Sequence, residues 1–197
     1  MVGHGVYHVP FRGSQAPPFS HFPFPRRLLV LLGILVASTA DLPAQSPRRS
    51  QRSELTQHVG NTEIRVRYIR PVARGRELFG ALVPYGRMWT PSADSALRVS
   101  FSTDVEIDDQ TLPAGSYSVW AVPDSSQWTV IFNRNADAFH LRHRESDDVL
   151  RLTARVDSLP HVETLTVAFP VVDGNTATIQ IHWGTTAVSL RLETPRS

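Results

Sequence analysis

From Thr62 to Tyr68 the chain alternates without a break, with Thr62, Ile64, Val66 and Tyr68 on one side and Glu63, Arg65 and Arg67 on the other. A period of two belongs to an extended strand with one dry and one wet face, and it excludes an amphipathic helix, whose period is about 3.6. Val59-Gly60-Asn61 just before it is a turn signal, so residues 53–69 are predicted to form a hairpin. The alternation returns at Leu97, Val99 and Phe101. Further strands are expected at 104–107, 110–112, 116–122, 128–133, 149–156, 162–169, 176–183 and 186–192. Between them stand Asp108-Asp109, Pro113-Ala114-Gly115, Pro123-Asp124-Ser125-Ser126, Asp173-Gly174-Asn175 and Gly184-Thr185. These residue types set turn dihedrals or bond their own backbone. Only 134–148 suggests a helical turn. The expected fold is all-β: a two-sheet antiparallel sandwich, or jelly-roll-like, spanning 53–193 as one domain.

Residues 70–96 break the pattern. A connection this long inside a compact domain is functional or disordered. Leu78, Phe79, Leu82, Val83, Tyr85, Met88 and Trp89 make it too apolar for disorder, so it is expected to be an ordered flap packed on the sheet.

Within the flap, Arg70-Pro71, Arg74-Gly75-Arg76, Leu78-Phe79-Gly80, Leu82-Val83-Pro84-Tyr85-Gly86, Trp89 and Ala93-Asp94 resemble the opening of the DUF 2911 family, exported bacterial proteins grouped as a domain of unknown function. Phe101-Ser102-Thr103-Asp104-Val105, Leu112 to Ser118, Trp128 to Asn133 and Asp148-Val149-Leu150-Arg151 match its later blocks. Trp89 is followed here by Thr90-Pro91-Ser92, where many relatives have Arg-Thr-Gly, so a role tied to that arginine does not carry over. The resemblance spans about 53–193; it implies export and this fold, and brings no catalytic residues with it.

Upstream, Arg26-Arg27 precede an apolar run from Leu28 to Val36 and then the small residues Ala37 to Ala40. That order is a secretory signal peptide, with cleavage after Ala40 or Ala44, and the run is short of the roughly 20 residues that a transmembrane helix needs. Residues 1–44 are thus expected to be a leader, with an atypically long N-terminal region that also raises the question of where translation starts. Residues 45–52 are expected to be a linker, and the mature protein to be periplasmic or extracellular. With no cysteine there is no lipoprotein anchor, disulfide or thiolate chemistry. All 20 basic residues are Arg, and residues 46–197 carry 17 of them against 17 acids. That balance argues against nucleic acid as a partner.

The candidate site is the flap. Arg65, Arg67, Arg70, Arg74, Arg76 and Arg87 face a single acid, Glu77, in that stretch, with Tyr85 and Trp89 nearby. Guanidinium groups take carboxylates, phosphates or sulfates bidentately, and aromatic faces take sugar rings. Arg70, Arg74, Arg76, Tyr85, Trp89 and Asp94 therefore suggest a binding module for an anionic small molecule or acidic saccharide. The plainer reading has the aromatics anchoring the flap and the arginines pairing with Asp94, Asp104 or Asp108. A hydrolase or isomerase using Asp94 and Asp104 under the flap is an alternative, and a structural envelope protein with an apolar strip or open sheet edge is a third. His140 and His143, with Glu145 or Asp147, are weak metal candidates, opposed by Arg142 and Arg144. No cofactor fingerprint is present in the domain, and Trp120, Trp128 and Trp183 read as packing residues.

Overall fold

The computed structural model describes residues 50–196; the leader and most of the linker lie outside them. The chain runs β1 (Gln51–Val59), β2 (Thr62–Arg70), β3 (Leu97–Phe101), β4 (Val105–Ile107), β5 (Gln110–Leu112), β6 (Gly115–Pro123), β7 (Gln127–Asn133), a 3-10 turn (Glu145–Asp147), β8 (Asp148–Asp173) and β9 (Thr176–Glu193). All pairings are antiparallel, in the order β1-β2-β3-β6-β7-β8-β9-β4-β5. β1 starts at Gln51, inside the stretch expected to be linker. Gln51 and Arg52 are polar and show their strand character only through pairing with Arg70 and Ile69.

The all-β class holds, and the nine strands form one continuous sheet. Residues 148–155 of β8 pair with β7, and 156–173 pair with β9. One 26-residue strand thus carries the chain from one ladder to the next. Leu97, Val119 and Phe132 of the first ladder meet Val167, Ile181 and Leu190 of the second around a cavity of only about 20 Å³. The dry faces of both ladders share a single core.

Two predicted breaks are bulges within strands. Residues 149–156 and 162–169 belong to the same strand, and Pro160 falls where the register shifts between Ser158 and Val162, so its missing N–H costs no ladder bond. Gly184, expected in a turn, instead sits inside β9 opposite Val162 with φ +63. The hairpin turns fare better. Asp108 and Asp109 both adopt left-handed dihedrals, as a two-residue loop between twisted strands requires. The β1–β2 and β8–β9 turns dock on each other: Gly60 N donates to Gly174 O at 3.0 Å, and a Cβ on Gly60 would stand 2.9 Å from Asn175 Oδ1.

Candidate functional site

The flap is ordered and stapled at several points. Val72 bridges Thr164 of β8, Trp89 bridges Ala121 of β6, and Ser95 bridges Phe139. Trp89 N donates to Ala121 O at 2.8 Å, and Ala121 N returns the bond to Trp89 O at 2.7 Å. Two buried hydroxyls add to these staples. Thr90 Oγ1 donates to Val119 O and accepts from Leu97 N, while Ser92 Oγ accepts from Ile69 N. Thr90 and Ser92 thereby satisfy strand backbone that the flap covers.

The aromatics divide. Trp89 lies parallel to Trp183 at 6.3 Å and edge-on to Phe79 and Trp128, so these four rings form one cluster against the core. Trp128 and Trp183 are buried as predicted, and so is Trp120 elsewhere. The buried indole nitrogen of Trp128 meets no hydrogen-bond acceptor among the described residues. Tyr85 stays outside the cluster with 44% of its surface exposed, its ring leaning on Gly80.

The flap arginines do not converge. Arg70 is half-buried; it donates from Nε to Leu165 O and from a terminal nitrogen to Thr166 Oγ1, both at 2.8 Å, which fastens the end of β2 to β8. Arg76 donates to Ala73 O and Val72 O, holding the first turn of the flap. Arg74, with φ +53, donates its backbone N–H to the Glu163 carboxylate. Arg65 and Arg67 pair with Glu54 and Glu63 on the hairpin's wet face, not with the aspartates expected. The separation follows from topology: guanidinium groups close in sequence are carried to opposite faces and ends of the elements by strand alternation and turns.

Asp94 is exposed at φ +64, where its backbone carbonyl meets His140 Nδ1 at 2.6 Å. Asp104 accepts from Ala114 N at 2.7 Å and lines a different cleft with Glu106 and Glu193. The two aspartates are not brought together, and neither lines the flap groove. His143 turns instead to Asp148, 2.7 Å away, and stacks edge-on with Trp120. His140 and His143 are thus committed to different partners, and among the described residues no three His, Cys, Asp or Glu gather as metal ligands.

What the flap does build is a groove of about 250 Å³ between itself and the bulged middle of β8 and β9, lined by Arg76, Glu77, Leu78, Phe79, Tyr85, His161, Trp183, Gly184, Thr185 and Thr186. Arg76 and Tyr85 are the two predicted residues that it unites. His161, Trp183, Thr185 and Thr186 were missed. The one signal for them was a glycine in the middle of an apolar strand, which marks a close approach as well as it marks a turn. Glu163 anchors the rim: its carboxylate receives His161 Nε2 and Arg74 N, and these bonds hold its pKa below the ordinary 4.5. Its backbone carbonyl receives Ala73 N and the Trp183 indole.

The class so defined is an all-β domain whose stapled flap covers an aromatic cluster and leaves a polar groove beside it. The chain belongs to the DUF2911 family, described as proteins of unknown function, whose profile matches residues 50–192. No curated protein and no solved structure matches the chain.

Proposed function

We propose that the protein is an exported binding module for an acidic saccharide, held in the groove beside the flap. The observation that carries this reading is Tyr85: a large aromatic ring left exposed at a concave, hydroxyl-lined groove, beside a buried Trp183 and a half-buried Phe79. Aromatic faces take the apolar face of a pyranose, while Thr185, Thr186 and Glu77 offer hydrogen bonds to its hydroxyls. Arg76 uses two of the about five N–H groups of a guanidinium on Val72 and Ala73, so the others are available to a uronate carboxylate. Arg76 and Glu77 offset each other within the groove, which favours a sugar with one acid group over a bare anion.

Export rests on the order Arg26-Arg27, Leu28 to Val36, Ala37 to Ala40. N-terminal sequencing of the protein recovered from the producing cell tests it, with a mature start at Asp41 or Gln45 expected. For binding, the test is calorimetry of the full chain with uronic-acid oligosaccharides and their neutral counterparts. Saturable binding of the acidic set, lost in Tyr85→Ala and weakened in Arg76→Lys, supports the reading. Absence of binding across both sets sinks it.

A further inference from the structure

We propose that a second cleft, on the wet face of β1, β2 and β3, is a binding site for a small tetrahedral dianion: inorganic phosphate, sulfate or a phosphomonoester. It shares no lining residue with the flap groove and stands independently of the saccharide reading.

The register builds it. Arg67 and Arg98 are direct partners across the β2–β3 ladder, so two guanidinium groups are placed side by side on one face. Like charges directly opposite each other on a sheet are destabilising. Arg52 of β1 is the partner of Ile69, two residues on from Arg67, and period-two geometry puts it on that same face. Arg52, Arg67 and Arg98 together line a cleft of about 190 Å³, with Ser95 and Asp137 at its sides and buried Ile69, Ala96 and Ala138 among its lining.

Counter-charge is incomplete. Arg67 meets Glu54 at 3.2 Å, and Arg98 meets Asp137, whose side chain is 82% exposed. Exposed ion pairs hold weakly in water, so an incoming dianion displaces Asp137 from Arg98 at little cost. The guanidinium of Arg52 has no ion-pair partner among the described residues. Three arginines stand against Asp137 in the lining and Glu54 beside Arg67, an excess of one positive charge that becomes two when the dianion displaces Asp137 from Arg98. Planar guanidinium groups take the oxygens of such an ion in pairs, and an apolar floor strengthens each contact by lowering the local dielectric.

The experiment is calorimetric titration of the full chain with sodium phosphate, sodium sulfate and a sugar phosphate, each against sodium chloride at matched ionic strength. One dianion per chain is expected, with no saturable chloride binding, and the tightest of the three identifies whether the free ion or the monoester is preferred. Arg52→Ala, a change at an exposed edge-strand position, is expected to weaken binding about tenfold or more. Asp137→Asn removes the competing carboxylate and is expected to tighten it severalfold. Tyr85→Ala is expected to bind the dianion as the wild type does, which separates this site from the flap groove. The proposal is overturned if none of the three ions binds above chloride, if Arg52→Ala binds unchanged, or if Asp137→Asn binds more weakly.

Discussion

Leu78 of the flap and Gly184 of β9 occupy adjoining space that admits only a hydrogen between them: a Cβ on Gly184 would lie 2.8 Å from Leu78 Cδ1. Gly184 also sits at φ +63, which side-chain-bearing residues adopt at a cost. The same residue therefore sits opposite the bulges of β8 and forms the seat for the flap. Gly184→Ala is expected to destabilise the fold by about 1–3 kcal/mol and to lift the flap locally. Denaturant unfolding reads the first effect. Faster tryptic cleavage at the exposed Arg74 and Arg76 reads the second.

Thr90 joins Val119 O to Leu97 N through one buried hydroxyl, 1% exposed. Thr90→Val keeps the shape and leaves both backbone groups without a partner, at an expected cost of about 1–3 kcal/mol. Thr90→Ser is expected to recover most of it. A chemical melt of the two variants checks the order.

Asp148, its side chain 6% exposed, accepts from Asn133 Nδ2 at 2.8 Å and His143 Nε2 at 2.7 Å, and pairs with Arg151 at 2.9 Å. Asn133 is itself 1% exposed. Asp148→Ala leaves that amide with an unanswered hydrogen and is expected to cost about 1–3 kcal/mol, most visibly as faster exchange in residues 134–147.

Glu163 gives the flap anchor a pH dependence of defined sign. Its pKa is lowered first by the bond from His161 and next by the backbone N–H of Arg74, so the folded state favours the carboxylate. The contribution is present above the unfolded value near 4.5 and is lost as pH falls through the lower folded value. Hydrogen exchange at Arg74, corrected for intrinsic rate, is expected to be slower at about pH 6 than at about pH 3. In Glu163→Gln that difference is expected to vanish.

Most strands were legible because alternation and turn chemistry act locally. Thr62–Tyr68, Leu97–Phe101 and the Asp108-Asp109 turn needed nothing beyond their own residues. The continuity of β8 and β9 was hidden, since Pro160 and Gly184 have the same composition in a bulge as in a loop. The site was harder. Proximity in sequence suggested that Arg70, Arg74 and Arg76 act together, whereas Arg70 and Arg76 hold carbonyls on their own sides of the flap. Arg52, Arg67 and Arg98 are adjacent only through two ladders, and pairing register is not written in any one strand.

The central claim is that the flap groove receives the saccharide, and an NMR titration of the full chain with a uronic-acid oligosaccharide tests it most directly. The account predicts that the Tyr85 ring, the Trp183 indole and the amides of Thr185 and Thr186 shift together and saturate at one ligand per chain, while resonances of Arg52 and Arg98 stay in place. Shifts absent from these four residues, or concentrated at Arg52 and Arg98, would contradict it.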